Sequence, residues 1–459
     1  MNAMLSLLHR HLVLPAFETL WKRRATLRHW RELERSQWRT PEAIAAGQLA
    51  ALQAILIHAE RTSPWYAATW RGLGLSARDV TDLDAFRRWP VIDRETIRVH
   101  REAMRSSEPH GRILTKATGG SSGVPLRFDV DEESHERRTA ASFRGYAWAG
   151  AGPGTRQLYL WGVPLTGATA ASRRKDRLHQ ALHRRRVINC FEGGEALHDR
   201  FLAELASYRP DAVVAYVHPL YDIARRLLER GERAPYAPAS IVVGAEKLHG
   251  FQREAIERAF TAPVFETYGS REFMLIGAEC ERHDGLHLTS EHLLVEILDD
   301  DGSPTAPGCE GNVVVTDLFN RGMPFIRYAT GDRATAGFGL CPCGRGLPLL
   351  RAVSGRRLDM LLGSGGRLIP GEFFPHLVKD FAGVRRFQVV QERADLVRFR
   401  LTEEGMPGPD RQRLEGLVRD AFGPAVRVEF ERADDIGLTA AGKLQVVVNR
   451  LGDVCGRAA

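Results

Sequence analysis

Apolar residues recur at helical spacing through the N-terminal quarter of the chain. From Glu42 to Glu60, strong helix formers carry apolar side chains three and four positions apart, which predicts one long helix. Asp93 stands before a further helical segment and is a predicted N-cap, because its carboxylate suits the free amides of a first turn. The pattern therefore predicts a mostly helical scaffold over residues 1–110.

Beyond residue 211 the pattern changes to short runs of apolar and β-branched residues separated by helical stretches. These segments are, in chain order, Ala212–Tyr216, Leu220–Leu228, Ser240–Val243, Phe251–Phe260 and Pro263–Glu266. The order is βαβαβ, which predicts a buried parallel sheet covered by helices. Ligands bind beyond the carboxyl ends of such strands, where the polar segments 244–247 and 267–272 follow. Both segments are predicted to face one crevice.

The pattern after residue 290 predicts two smaller parts that contain β-strands. Leu293–Leu298 and Gly311–Leu318 predict an antiparallel pair, and a third strand is predicted from Phe325 through Asp332. They would form a small β-subdomain over residues 290–353. Short strands and a helix then alternate over residues 354–459, which is long enough for a separate α+β domain. The predicted fold class is α/β, with a large domain over residues 1–353.

A glycine- and serine-rich run, KATGGSSGVPLR at residues 116–127, interrupts the pattern before the sheet. It exposes backbone amides and hydroxyls with little side-chain bulk, which suits a loop that wraps a polyphosphate. It is not a Walker-type loop, because the Gly-Lys-Ser/Thr ending is absent. Taken alone, such a run is equally compatible with an ordinary turn.

Length, composition and charge restrict the class of protein. The chain has 459 residues, of which 44% are hydrophobic and 26% charged, as expected for two or three folded domains. The net charge of +7 is spread along the chain without a basic stripe interleaved with aromatic residues, so nucleic-acid binding is not predicted. Neither a secretory signal nor an integral membrane segment is predicted, and a cytoplasmic location is expected. The oligomeric state stays open, with a homodimer as one candidate.

Three cysteines and one histidine form a spacing pattern typical of a metal site. Cys280, His287, Cys341 and Cys343 supply three thiols and one imidazole from two stretches of chain. That is the ligand composition of a closed tetrahedral zinc site, which predicts structural rather than catalytic zinc. His283 is an alternative to His287, and buried free thiols are the alternative to zinc.

The motifs, taken in order, resemble the adenylate-forming acyl- and aryl-CoA ligase superfamily, and most closely its phenylacetate-CoA ligase-like branch, which includes capsule- and exopolysaccharide-associated relatives. The stretches that carry the resemblance are SPWY at 63–66, WPVID at 89–93, TGGSSGVP at 118–125, GAE at 244–246, YGSRE at 268–272, IRYATGD at 326–332, GR at 355–356 and GK at 442–443. The resemblance implies an enzyme that uses ATP to make an acyl-AMP and then a thioester of coenzyme A. It also implies a C-terminal domain that moves between two conformations.

The resemblance assigns a role to each matching residue. The phosphates of ATP would be held by Thr118, Ser121, Ser122 and Gly123, and Mg²⁺ by Glu272. The adenine would lie beside Gly244, Ala245, Glu246, Tyr268 and Gly269, and the ribose beside Asp332 and Arg356. Lys443 would bridge carboxylate and phosphate oxygens during adenylation. The small-molecule carboxylic acid would bind around Tyr216, His218, Gly244 and Tyr268.

Two positions depart from the superfamily pattern. Arg271 stands where most members have threonine, which would place a guanidinium near the α-phosphate, and Val124 stands where the loop usually has lysine. Two alternative functions remain open on the sequence. The acyl group could pass to an amine, a sugar or a carrier protein, or the chain could be a catalytically silent nucleotide-binding scaffold.

Overall fold

The structure is a computed structural model of the chain. It describes residues 8–117, 126–162, 170–190, 194–356, 361–363, 368–369, 374, 378, 386–402, 406, 408–437 and 445–451.

Helices dominate the first hundred residues, as the sequence predicts. Thr40 and Asp93 cap two of them, since Thr40 Oγ1 accepts from the Ala43 amide at 3.3 Å and Asp93 Oδ1 from the Thr96 amide at 2.8 Å. The predicted N-cap at Asp93 is therefore confirmed. The described α-helices are α1 (Thr26–Ser36), α2 (Pro41–Thr62), α3 (Pro64–Gly72), α4 (Leu83–Arg87), α5 (Arg94–Met104), α6 (Glu132–Trp148), α7 (Ala170–Leu182), α8 (Gly194–Tyr208), α9 (Val217–Glu229), α10 (Gly250–Phe260) and α11 (Gly408–Phe422).

Most of the described strands belong to one eleven-stranded sheet, in the order β10-β11-β12-β13-β9-β8-β7-β6-β5-β3-β4. Strands β1 and β2 pair separately as an antiparallel hairpin. The strands up to β13 are β1 (Ile113–Ala117), β2 (Arg127–Asp131), β3 (Gln157–Trp161), β4 (Arg185–Asn189), β5 (Ala212–Tyr216), β6 (Ser240–Gly244), β7 (Val264–Ser270), β8 (Met274–Glu279), β9 (Leu286–Leu288), β10 (Leu293–Leu298), β11 (Glu310–Asp317), β12 (Tyr328–Ala336) and β13 (Leu349–Arg356).

The predicted βαβαβ unit is present. Strands β5, β6 and β7 pair in parallel, and helices α9 and α10 connect them. All five residues of β5 and of β6 are buried, which explains why these strands read as unbroken apolar runs. The side chains on one face of these strands pack with the connecting helices into one hydrophobic cluster, and those on the other face, such as Val214 and Val242, belong to a second cluster.

The antiparallel strands continue the parallel sheet. The predicted pair is confirmed as β10 and β11, with Val295 opposite Val315. The third strand begins at Tyr328, three residues later than predicted. Arg327 has a φ of +49° and its amide donates to Thr316 Oγ1, while the Phe325 carbonyl accepts from the Asp317 amide. The positive φ of Arg327, together with the bond from its amide to a side chain, therefore interrupts the regular strand before Tyr328.

Helix α2 is the one helix among the described residues whose length and hydropathy would also suit a membrane span. In the structure it packs into the largest hydrophobic cluster, where Leu52, Ile55 and Leu56 are fully buried. These apolar side chains of α2 therefore contribute to the hydrophobic core of the first unit.

The chain divides into two compact units. The first contains residues 1–118, 125–330 and 334–353, and the second contains residues 119–124, 331–333 and 354–459. The second unit has its own core, in which Phe399, Leu414 and Val418 are fully buried. Its strands are β14 (Leu361–Leu362), β15 (Leu368–Ile369), β16 (Arg386–Arg393), β17 (Leu396–Thr402), β18 (Arg427–Ala433) and β19 (Val447–Asn449), of which the last four form a sheet in the order β18-β17-β16-β19.

Candidate active site and metal centre

The carboxyl ends of β5, β6 and β7 lie side by side. Tyr216, the last residue of β5, is the register partner of Gly244, the last residue of β6, and Val243 is paired with Glu266 of β7. The polar segment that follows β6 begins at this edge of the sheet. Strand β7 is longer than predicted, because residues 267–270 continue it and pair with the antiparallel strand β8. Of the residues predicted to surround the acid, Tyr216, His218 and Gly244 are brought together at the ends of β5 and β6.

Glu246 links the ends of β5 and β6. Its Oε2 accepts a hydrogen bond of 2.8 Å from the backbone amide of His218. The Tyr216 ring packs edge to face on Trp161 of β3, with ring centroids 4.6 Å apart. Burial, together with the charge of Glu246, raises the pKa of Tyr216 to about 12 and that of the nearby Cys190 thiol to about 12. Both groups are neutral hydrogen-bonding and packing partners at physiological pH.

The backbone at the ends of β6 and β7 is closely packed. A Cβ on Gly244 would lie 2.5 Å from Thr267 Oγ1, and the Thr267 hydroxyl donates to the Val243 carbonyl at 2.8 Å. Ala245 follows with a φ of +69°, a conformation that L-residues rarely adopt. A Cβ on Gly269 would meet the Met274 carbonyl oxygen at 2.0 Å, where β7 and β8 change register. The close approach of β8 therefore requires glycine at position 269, independently of the predicted role of Gly269 at the adenine.

Glu272 is a nearly buried carboxylate, 8% exposed. Its backbone carbonyl accepts a hydrogen bond from Arg138, whose guanidinium also forms a fully buried ion pair with Asp317. Within the described part of the chain, the Glu272 carboxylate itself has no hydrogen-bond or ion-pair partner. A carboxylate that no protein cation neutralises is available as an oxygen ligand of a hard cation.

Three cations surround the residues before the glycine-rich run. Lys116 Nζ lies 3.3 Å from His135 Nδ1. Burial, together with the charges of Arg138 and Arg271, lowers the pKa of Lys116 to about 7. Burial and the charge of Lys116 lower the pKa of His135 to about 3, so this ring is neutral and accepts from the ammonium. Arg271 is exposed and also acts on Tyr216. The region is electropositive and suits an anionic ligand.

Several predicted residues cannot be placed in this geometry. Those outside the described residues are Thr118, Ser121, Ser122, Gly123 and Lys443, and Val124 lies there too. Asp332 lies on β12, and the structure describes Arg356 as the last residue of β13. Tyr268 is 8% exposed and belongs to the largest hydrophobic cluster. The roles assigned to these residues stay predictions.

The predicted metal ligands meet in the first unit. The ligand atoms of Cys280, His287, Cys341 and Cys343 all lie within 4.8 Å of one another. Cys280 Sγ and Cys341 Sγ are 3.7 Å apart, and Cys343 Sγ lies 3.3 Å from His287 Nε2. Two thiolates on tetrahedral zinc, with bonds of about 2.3 Å, would be separated by about 3.8 Å. The four side chains therefore fit a closed zinc site, whereas His283 Nδ1 hydrogen-bonds Glu279 at 3.1 Å.

The loop that carries Cys341 and Cys343 is anchored to the end of α1. The Gly346 amide donates to the Gln37 carbonyl at 2.9 Å, and a Cβ on Gly346 would lie 2.0 Å from the Arg39 carbonyl oxygen. Burial raises the pKa of Cys343, but the Arg345 amide and guanidinium outweigh it, and the net pKa is lowered. Arg345 thus favours the thiolate that a zinc ligand must become.

Comparison with solved structures defines the class of fold. A 2-hydroxyisobutyryl-CoA ligase in the postadenylation state, in complex with R3-HIB-AMP, matches with a TM-score of 0.73 at 19% identity over 92% of this chain and 93% of that chain. A structure of 2-hydroxyisobutyryl-CoA ligase with 2-HIB-AMP and CoA, in the thioesterification state, matches with a TM-score of 0.60 at 20% identity, over 92% and 94%. This chain has the fold of the adenylate-forming CoA ligases.

Sequence similarity narrows the resemblance to one branch of that class. The phenylacetate-coenzyme A ligase of Escherichia coli is 26% identical over 352 residues, which cover 74% of this chain and 78% of that enzyme. The enzyme of the same name from Thermus thermophilus is 34% identical over 130 residues, so the match spans 28% of this chain and only 29% of that enzyme. Residues 361–450 match the CapK C-terminal domain family. The chain thus resembles the phenylacetate-CoA ligase-like branch with capsule-associated relatives.

Sequence reasoning missed two residues of the candidate site, Trp161 and Arg138, and gave Lys116 no role of its own within the run at residues 116–127. Trp161, Lys116 and Arg138 come from β3, from β1 and from the helix after the hairpin. Lys116 carried a usable signal, because it is the first residue of the glycine-rich run. Arg138 and Trp161 carried none, because only tertiary packing brings them to the ends of β5 and β7.

Proposed function

We propose that the protein is a magnesium- and ATP-dependent carboxylic-acid ligase that forms an acyl- or aryl-adenylate and passes the acyl group to coenzyme A. The observation that supports this proposal is that Tyr216 and Gly244 end neighbouring parallel strands and that Glu246 joins them through the His218 amide, with the charge of Arg271 acting on Tyr216. The fold and sequence similarities support ligase activity at the level of the family.

The electropositive region would offset the main barrier to adenylation. A carboxylate must approach the α-phosphate, so two anions have to be held together in a fixed orientation. Lys116 and Arg271 would supply positive charge beside the phosphates, next to the glycine-rich run predicted to hold them. Tyr216 and Trp161 would form an apolar wall of the acid pocket, which favours an acid with an apolar or aromatic body.

Magnesium would bind at Glu272, whose nearly buried carboxylate fits a hard cation. The ion would screen the negative charge of the phosphates when bound. Arg138 would keep this segment in place, since it holds the Glu272 carbonyl while paired with Asp317.

The second unit would supply Lys443 for adenylation and then withdraw it. This role for Lys443 requires a domain boundary between residues 353 and 354 and a hinge at residues 356–359. Both are proposed from the family resemblance. Asp332 and Arg356 would bind the ribose hydroxyls.

A structural zinc ion would bind Cys280, His287, Cys341 and Cys343. Four protein ligands leave no open position, so the ion would tie the 341–346 loop to β9 and to the end of β8 rather than take part in the reaction. We expect a cytoplasmic location, where these thiols stay reduced.

The test is pyrophosphate exchange into ATP across a panel of carboxylic acids. We expect exchange that requires both magnesium and one class of acid, with an apolar or aromatic body. No exchange with any acid, in protein shown to bind ATP, would instead favour the nucleotide-binding scaffold.

The acceptor is a separate question, because the match of residues 361–450 to the CapK C-terminal domain favours capsule-associated relatives. Under this second candidate function the acyl group would pass to an amine, a sugar or a carrier protein. Mass spectrometry of the products with and without coenzyme A separates the two. A CoA thioester supports the first candidate, and release of acyl-AMP despite saturating CoA supports the second.

A further inference from the structure

The segment from Leu8 to Trp21 is continuously helical and is called the N-terminal helix below. One side of this helix packs on the first unit. Leu14 and Phe17 are buried, and Leu14 joins a hydrophobic cluster with side chains of α1 and α6. The Glu18 carboxylate is also buried and lies 3.2 Å from His183 Nε2. These contacts hold the helix against the body of the protein.

The other side of the N-terminal helix exposes apolar side chains. Exposed apolar residues recur every four positions and so form a row along the helix, made of Leu8, Leu12, Ala16 and Leu20. Leu20 and its neighbour Trp21 are 76% and 69% exposed. Among the described residues, five of the fourteen exposed large hydrophobic side chains belong to this one helix. Exposed apolar surface concentrated in this way marks an interaction site.

The segments that carry and adjoin this row are basic. Helix α7 contacts the N-terminal helix, since the rings of Phe17 and His179 are 5.9 Å apart. Residues 8–36 and the described side chains of α7 carry nine arginines and lysines against four carboxylates, a net charge of +5 with histidine neutral. The four carboxylates are those of Glu18, Glu32, Glu34 and Asp176. Positive charge beside an exposed apolar row is typical of segments that bind anionic lipid surfaces.

A second copy of the chain would cover this surface less well than a membrane. A twofold interface places the same patch of both copies face to face, so it would bring two basic surfaces together. An anionic bilayer instead attracts the arginines through its headgroups and accepts the apolar row at the acyl boundary. Trp21 suits the same boundary, because tryptophan is enriched at membrane–water interfaces.

We propose that the N-terminal helix docks the protein on the surface of an anionic lipid bilayer. The helix lies in the plane of the interface, with Leu12, Leu20 and Trp21 in the acyl boundary. Arg10 and Arg23, which are both exposed, contact lipid phosphates. This docking is independent of the proposed ligase reaction, because none of these residues belongs to the candidate active site.

Vesicle sedimentation with the full chain tests the proposal. The probes are vesicles of phosphatidylcholine alone and vesicles that also contain about 30% phosphatidylglycerol. We expect at least tenfold stronger binding to the anionic vesicles. Raising NaCl from about 0.1 to about 0.5 M should weaken this binding, since salt screens the arginines. Equal binding to both vesicles, or binding to neither, would overturn the proposal.

Two pairs of substitutions locate the docking surface. Leu20→Ser combined with Trp21→Ser removes two highly exposed apolar side chains and should weaken binding to the anionic vesicles at least tenfold. Leu73→Ser combined with Val99→Ser, at positions 57% and 58% exposed elsewhere in the first unit, is the matched control and should bind like the parent. Melting temperatures of both variants are compared with that of the parent. Parent-like binding by the Leu20 and Trp21 variant would contradict docking through this helix.

The arginines and the oligomeric state give two further readouts. Arg10→Gln combined with Arg23→Gln should weaken binding to the anionic vesicles at least tenfold and leave binding to neutral vesicles unchanged, because only the attraction to lipid phosphate is removed. Light scattering without lipid measures the oligomeric state. A dimeric parent that becomes monomeric in the Leu20 and Trp21 variant would assign this surface to a second copy and overturn the membrane proposal.

Discussion

Lys116 illustrates how one residue acquires a role from its surroundings. Its position at the start of the glycine-rich run is visible in the sequence, whereas its pKa of about 7 arises from burial and from Arg138 and Arg271, which come from distant segments. A lysine poised near neutrality responds to an anionic ligand by taking up a proton.

We predict that ATP binding raises the pKa of Lys116. At pH 8 most of the free protein has this amine neutral, so binding should take up nearly one proton, whereas at pH 6 it is already charged and uptake should be close to zero. Calorimetry in buffers of different ionisation enthalpy measures this uptake. Lys116→Arg should bind ATP without the uptake, and Lys116→Met should bind several-fold more weakly. Uptake that persists in the arginine variant would assign the proton to another group.

Glu272 is the residue on which the proposed metal dependence rests. Glu272→Gln removes the charge that a hard cation requires, so we expect acid-dependent exchange to fall by at least about a hundredfold. Raising the magnesium concentration should restore part of it. Glu254→Gln, at an exposed position on α10, is the matched control and should keep full activity. Equal loss in both variants would point to a general effect of charge.

At the scale of elements, α6 is joined to the sheet by a buried ion pair. Arg138 and Asp317 are both 0% exposed, and Arg138 also binds the Glu272 carbonyl. We expect Arg138→Met to lower the free energy of unfolding by about 3–5 kcal/mol, because Asp317 is left as an unpaired buried charge. The double variant with Asp317→Leu should recover part of this loss in urea denaturation. A double variant less stable than Arg138→Met would show that the cost comes from packing.

The metal centre joins β8 and β9 to the 341–346 loop, and zinc would stabilise that junction. Cys280→Ser should reduce bound zinc from one ion per chain to none and lower the melting temperature by at least about 5 °C. Elemental analysis and thermal melting measure the two effects. Cys309→Ser, at an exposed position, should change neither. A parent protein without zinc that melts as a single stable species would favour buried free thiols.

At the scale of the whole molecule, the proposed mechanism separates two half-reactions between two conformations. Lys443→Ala should abolish pyrophosphate exchange while keeping thioester formation from chemically prepared acyl-AMP. Lys22→Ala, at a partly exposed position in the first unit outside the candidate site, is the comparison lysine variant and should keep both half-reactions. Loss of both half-reactions in Lys443→Ala would contradict a role confined to adenylation.

Local pattern accounts for much of the fold. The runs at 212–216, 240–243 and 263–266 form adjacent parallel strands, and Asp93 caps its helix. These features depend on short-range periodicity and on capping chemistry, which neighbouring residues in the sequence express directly. The sequence pattern predicts the start of the third strand three residues too early, because the positive φ of Arg327 and the bond from its amide to the Thr316 side chain depend on the tertiary structure.

The sequence by itself determined which chemical groups are available: a glycine-rich run, acidic and basic residues beyond the strand ends, and four zinc-type ligands. Only the tertiary structure decided which of them meet. It selected His287 over His283 and placed Arg138 beside Glu272 and Trp161 beside Tyr216. The physical reason is that pKa, burial and ligand geometry are set by residues far apart in the chain, whereas periodicity is set by near neighbours.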